Sequence, residues 1–243
     1  MIKILALFSL INGSILASNS PQDESTTGLG LSLRNFHKFT PKIKSLLEIN
    51  IEKENELTTR KDFKLGARYR LHQNIKASAY FKRSYGLRHE NDWIKVDHTW
   101  LWFNSSDRGE NTFGTDLSYR TIFKDNIIEL RAKLERNLFN DNTVITLRPG
   151  ITHLFLKNGS PFINLYLQYE AYFPMNFHEK MIYKHGIYSG ILYHWSNMIK
   201  PGLFIKYTKS SWNNSNEAQS RNVPNYEVAE TSTIFGLSIN FYY

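Results

Sequence analysis

Apolar and polar residues alternate with a period of two along nearly the whole chain, the pattern of strands that turn one face to an apolar environment. The clearest stretch is 42–52. Ile43, Ser45, Leu47, Ile49 and Ile51 share one face there, and Lys42, Lys44, Leu46, Glu48, Asn50 and Glu52 share the other. Residues 62–72 repeat the scheme, with Phe63, Leu65, Ala67, Tyr69 and Leu71 opposite Lys64, Gly66, Arg68, Arg70 and His72. In 127–137, Ile128, Leu130, Ala132 and Leu134 oppose Glu129, Arg131, Lys133 and Glu135. No helix-period stripe exceeds two turns.

The alternation predicts twelve strands, at about 28–36, 42–52, 62–72, 74–84, 92–103, 112–123, 126–137, 143–156, 161–173, 182–194, 198–209 and 228–243. Turn-forming residues separate them: Lys124-Asp125-Asn126, Asn140-Asp141-Asn142, Lys157-Asn158-Gly159-Ser160 and Ser196-Asn197. The long polar connection Ser210–Tyr226 precedes the last strand. Many of these strands are longer than the five or six residues usual in soluble domains (about 17–20 Å). They suit a tilted membrane crossing, which takes about 9–11 residues. The apolar faces also end in aromatic residues, at Tyr69, Phe81, Trp100, Trp102, Phe155, Tyr169, Phe173, Tyr193 and Tyr207. Rings at those positions fit the headgroup level of a bilayer. The expectation is therefore an all-β, antiparallel up-and-down transmembrane barrel of about 12 strands, with both termini at the periplasmic end and Ser210–Tyr226 as the longest external loop. The connections Phe39–Pro41 and His72–Asn74 are short where external loops should be long, so ten strands stays open.

Composition agrees only after the faces are separated. The chain has 243 residues, a net charge of +8, 14% aromatic residues and no cysteine. Its mean hydropathy of −0.43 looks like that of a soluble protein and excludes a polytopic helical membrane protein. The missing cysteine excludes disulfide scaffolds, thiol nucleophiles and Cys-ligated metals. Residues 1–18 combine Lys3, an apolar stretch from Ile4 to Ile11 and small residues at Ala17 and Ser18. That is the layout of a signal peptide, and 19–27 reads as a polar, flexible leader to a barrel spanning 28–243. Export argues against nucleic acid as the partner of the basic surplus.

The last nine residues carry the most specific signal. Phe235, Leu237, Ile239, Phe241 and Tyr243 share one face of a strand that ends in an aromatic residue. This resembles the insertion signal of bacterial outer-membrane barrels, and the resemblance implies recognition by the barrel-assembly machinery, with outer-membrane lipid as the solvent of the outer wall. Residues 126–212 further resemble a family of small Gram-negative outer-membrane proteins of unknown function. The matching stretches are Glu129-x-Arg131-x-Lys133-x-Glu135-x-Asn137-Leu138-Phe139, Thr146-Leu147-Arg148-Pro149-Gly150, Leu165–Phe173, Gly186–Tyr193 and Gly202–Tyr207. Pro149 departs from that pattern. A weaker similarity is to the small twelve-stranded oligogalacturonate-specific porins, which share the size and a basic lumen. Both resemblances imply a fold rather than an activity.

With the polar faces turned inward, the lumen holds more bases than acids; Lys95 and Asp97 fall among the inward positions. The candidate lumen residues are Lys64, Arg68, Arg70, Glu129, Arg131, Lys133, Glu135, Arg148 and Glu170. Such a surplus concentrates anions and suits a small passive pore for anionic solutes. The alternative is that acids and bases pair across the lumen and fill it, leaving a non-conducting structural or adhesive barrel. A barrel-wall lipid hydrolase is the third reading, with His194 and Ser196 as its nearest pattern; a turn histidine beside an incidental serine explains that pair better. No catalytic residue, metal site or cofactor is assigned.

Overall fold

The computed structural model describes residues 23–54, 59–86, 93–96, 99–102, 109–139, 141–176, 181–213 and 227–243. The expectation for residues 1–18, and residues 19–22 of the expected leader, lie outside them, whereas Glu24–Thr27 form the start of the first strand. The strands are β1 (Glu24–Phe36), β2 (Ile43–Glu54), β3 (Arg60–Arg70), β4 (Ile75–Tyr85), β5 (Trp93–Val96), β6 (Thr99–Trp102), β7 (Glu110–Phe123), β8 (Asn126–Asn137), β9 (Thr143–Lys157), β10 (Ser160–Pro174), β11 (Lys184–Tyr193), β12 (Ile199–Asn213) and β13 (Glu227–Tyr242). Eleven of them close a single barrel in the order β1-β13-β12-β11-β10-β9-β8-β7-β4-β3-β2. One circuit of the register advances the pairing by about 14 residues, the stagger that tilted strands need in order to close.

Eleven lies between the ten and twelve strands read from the alternation, and two expectations change with it. The stretch 92–103 is not one barrel strand: β5 and β6 form a separate two-stranded hairpin within the β4–β7 connection. Lys95, Trp100 and Trp102 therefore belong to no barrel wall, and Asp97 lies outside the described residues. The second change concerns the ends. β1 pairs parallel with β13, from Glu24 opposite Glu230 to Phe36 opposite Tyr242. The start of β1 and the end of β13 consequently sit at opposite mouths, not together as expected.

This also settles the short early connections. The segments 37–42, 71–74, 124–125, 158–159 and 194–198 all lie at the mouth where β13 ends. The longer ones, up to the β4–β7 connection at 86–109, lie at the other, so 86–109 and not Ser210–Tyr226 is the longest link between barrel strands. Local chemistry makes the tight turns. Asn158 (φ 53°) and Gly159 (φ 74°) supply the two positive-φ residues of the two-residue β9–β10 hairpin. Ser196 Oγ accepts hydrogen bonds from the backbone N–H groups of Met198 (3.2 Å) and Ile199 (3.0 Å), which closes the β11–β12 turn. Pro149, out of place in a central strand, sits where the β9–β10 pairing lapses between Gly150–Gln168 and Leu147–Ala171.

The outer wall is apolar. Leu29, Leu65, Leu117, Leu130, Leu147, Ile151, Leu165, Leu167, Ile187, Leu203 and Leu237 are all exposed on it. Aromatics border this band at both levels: Tyr69, Tyr119, Phe155 and Tyr193 toward the short turns, and Phe63, Phe81, Phe113, Tyr169 and Tyr207 toward the long loops. A continuous apolar belt of this extent is far larger than the few hundred Å² a soluble monomer exposes. It matches the lipid-facing band of a membrane barrel. Charges on the outward faces keep to strand ends. Arg83 bonds Asn111 and lies over the Tyr85 ring, and Arg136 pairs with Asp141.

Inside, glycines make room for rings. Gly114 is close enough to Tyr80 that a Cβ there would stand 2.4 Å from the ring, and a Cβ on Gly236 would stand 2.2 Å from Phe204. Tyr80 packs against Gly114 and is 2% exposed. The Gly114→Ala variant must push that ring off its hydroxyl partner, Glu135. The expected loss is about 1–3 kcal/mol, the usual cost of overpacking, read by urea unfolding in detergent.

Candidate functional site

The polar lumen is the candidate site, and alternation along the strands positions it. β8 turns Glu129, Arg131, Lys133 and Glu135 inward from every second position. β3 contributes Asp62, Lys64 and Arg68, β7 contributes Asp116, β9 contributes Arg148, and β10 contributes Glu170 and Tyr172.

At the waist these groups meet in small, shared clusters. Lys133 Nζ lies 3.0 Å and Arg148 3.4 Å from one oxygen of Glu170, while the Tyr172 hydroxyl donates to the other. Tyr188 extends the group through Tyr172, at 3.3 Å between hydroxyls. Glu135 accepts from the Tyr80 hydroxyl at 2.9 Å and from Lys82 at 3.3 Å. Arg131 reaches Asp116 at 2.5 Å, and Asp116 also accepts from Ser78, whose oxygen accepts from Arg68. Glu48 is shared by Lys64 (3.3 Å), Arg34 (3.4 Å) and Asn50 (3.0 Å). Lys206 of β12 donates to both oxygens of Glu52 on β2, at 2.6 and 2.8 Å, so this pair spans the β1–β13 seam.

Burial decides what these pairs do. The side chains of Asp116 and Glu170 are 1% and 2% exposed, and those of Arg131, Lys133, Arg148 and Lys64 only 14–17%. A wide water-filled channel would wet such groups. Here they pack on one another and on Tyr80, with Lys64 4.8 Å above its ring. Charges withdrawn from water to this degree persist because each has a partner.

No family model and no curated protein matches this chain. The resemblance of residues 126–212 to small outer-membrane proteins thus rests on its motifs alone.

The sequence-predicted residues divide between two levels. Lys64, Arg131, Lys133, Glu135, Arg148 and Glu170 meet at the waist, with Arg68 at its edge. Glu129 lies toward the short-turn mouth, paired with Arg120 at 2.7 Å, and Arg70 is exposed there. Of the last-strand residues, Phe235, Leu237 and Tyr243 are exposed, and Ile239 and Phe241 half-buried, on the outward side of β13. Sequence reasoning missed the lumen's rings, Tyr80, Tyr166, Tyr188 and Phe204. For Tyr80, Tyr166 and Phe204 the signal was the glycine at the same level on a neighbouring strand, legible only with the register known; Tyr188 packs beside Gly186 of its own strand.

Ser196 serves its turn, as described above. The His194 imidazole is held below its ordinary pKa by burial first and then by the Lys200 charge. Glu170, toward the other end of the β10–β11 hairpin from His194, is engaged by Lys133, Arg148 and Tyr172.

Proposed function

We infer that this protein is an outer-membrane β-barrel closed at its waist at rest, a structural or binding barrel rather than an open pore. The carrying observation is the Glu170 cluster: a carboxylate almost wholly removed from solvent and contacted by a lysine of β8, an arginine of β9 and a tyrosine of its own strand. The apolar belt with its two aromatic levels supports a place in lipid. The division into short turns and long loops supports the orientation, with the short turns toward the periplasm. Residues 1–18 would direct export, and Phe235, Leu237, Ile239, Phe241 and Tyr243 would be read by the barrel-assembly machinery.

The second reading, a small pore for anionic solutes, is favoured by the surplus of cations at the short-turn mouth, where Lys44, Arg70, Lys76 and Lys200 face inward. Liposome swelling separates the two. Vesicles carrying the folded protein are expected to swell no faster in gluconate or arabinose than protein-free vesicles. Swelling that is faster in the anion would favour the pore.

A further inference from the structure

Charge in the lumen is not spread evenly. At the waist, Glu48, Asp116, Glu135 and Glu170 each contact at least one cation. At the short-turn mouth the balance is different. Lys44, Arg68, Arg70, Lys76, Arg120 and Lys200 point inward within a few residues of their strand ends. They occupy a continuous arc of wall, since β12, β13, β1, β2, β3, β4 and β7 are neighbours in that order. The acid at this level is Glu129, held by Arg120.

The register brings like charges into direct opposition. Lys44 faces Arg68 across β2–β3, and Arg70 faces Lys76 across β3–β4, each pair on the inner side. Such pairs destabilise a sheet unless something neutralises them. Among the described residues, Lys44, Arg70, Lys76 and Lys200 have no carboxylate within ion-pair distance. Arg68 contacts the Ser78 hydroxyl and the Phe36 ring, and Lys200 stands 4.9 Å over the Tyr242 ring. Lys200 also lies within electrostatic reach of Arg120 and Lys44, so the two ends of the arc converge on one space. The wall sets these cations against the Glu129 carboxylate, which Arg120 already holds.

The geometry points to a binding site for a multivalent, phosphate-bearing anion in this mouth. Arginine forks match phosphate oxygens in pairs, and lysines add point charge around them. The cations sit on strands about 4.8 Å apart, so one monovalent ion neutralises a single neighbouring pair while a linear oligophosphate reaches several. The inward direction of the side chains selects a soluble anion over a lipid headgroup on the outer wall. The site rests on the inward-facing basic lumen of the proposed function, but not on whether the waist opens. With the waist closed it is a vestibule, filled and emptied through one mouth.

The test is calorimetric titration of the full-length, detergent-folded protein with tripolyphosphate and, separately, orthophosphate. Tripolyphosphate is expected to bind saturably with one-to-one stoichiometry, and orthophosphate about tenfold more weakly or worse. Arg70→Gln combined with Lys76→Gln should weaken tripolyphosphate by about tenfold or more. Lys157→Gln, which removes a charge from the outer face at the same end, should leave it unchanged. The folded state of each variant is checked by its heat-dependent gel mobility. Unsaturable binding, equal affinity in the double variant, or an equal loss in Lys157→Gln would overturn the site. Binding without conductance in bilayers leaves the vestibule standing and removes the pore. Conductance without binding does the reverse.

Discussion

The Glu170→Ala variant is expected to lose about 3–5 kcal/mol of folding stability, the range for removing one partner of a buried ion pair. The reason lies in what stays behind. Lys133 and Arg148 would keep their positions on β8 and β9 with no carboxylate between them, and the Tyr172 hydroxyl would lose its acceptor. Two like charges stranded at low exposure repel each other and lack water. Urea unfolding in detergent micelles, followed by tryptophan fluorescence, measures the loss. A change under about 1 kcal/mol would mean that the pairs behave as exposed surface bridges and that water reaches the waist freely.

The second large effect belongs to the outer wall. Leu167 lies midway along β10, between Ile151 of β9 and Ser189 of β11, and is 52% exposed. Arginine there is expected to cost about 2–4 kcal/mol in a bilayer, because its charge would meet hydrocarbon at mid-depth. The same substitution at Leu138, just beyond the end of β8 at the long-loop side, should cost about 0–1 kcal/mol. Equal costs at both sites would remove the lipid-facing assignment of the apolar belt. The comparison is informative because both leucines are about equally exposed and differ in depth along the wall.

The inside and outside of this barrel were legible from the chain alone because alternation is a local property. Each strand that reads Phe63-x-Leu65-x-Ala67 against Lys64-x-Gly66-x-Arg68-x-Arg70 declares its two faces without reference to its neighbours. Asn158-Gly159 likewise declares a hairpin, since few other residues adopt its two positive φ angles. Closure was not legible. β1 meets β13 in a parallel pairing that no turn announces, and Glu24 and Glu230 are separated by most of the chain. Counting strands from a shared periplasmic start therefore placed Phe39–Pro41 at the wrong mouth. The stretch 92–103 misled for another reason: its alternation is real, but a hairpin in a long connection uses the same period as a barrel strand.

The lumen residues were found as a set but not as an arrangement. Lys133, Arg148 and Glu170 were grouped with Arg70 and Glu129 because all five share inward parity. Parity fixes direction and leaves depth open. Depth follows from the stagger of the whole barrel, which brings Glu170 to Lys133 and leaves Arg70 beside Lys76. The balance between a filled and an open lumen turned on that one property.

Recording from planar bilayers tests the closed waist most directly. The comparison sets the wild type against the triple variant Lys133→Ser, Arg148→Ser, Glu170→Ser, which removes the Glu170 carboxylate together with both cations that contact it. The closed barrel predicts a silent wild type and stepwise conductance in the triple variant. Wild-type steps as large as those of the variant, or a variant as silent as the wild type, would contradict it.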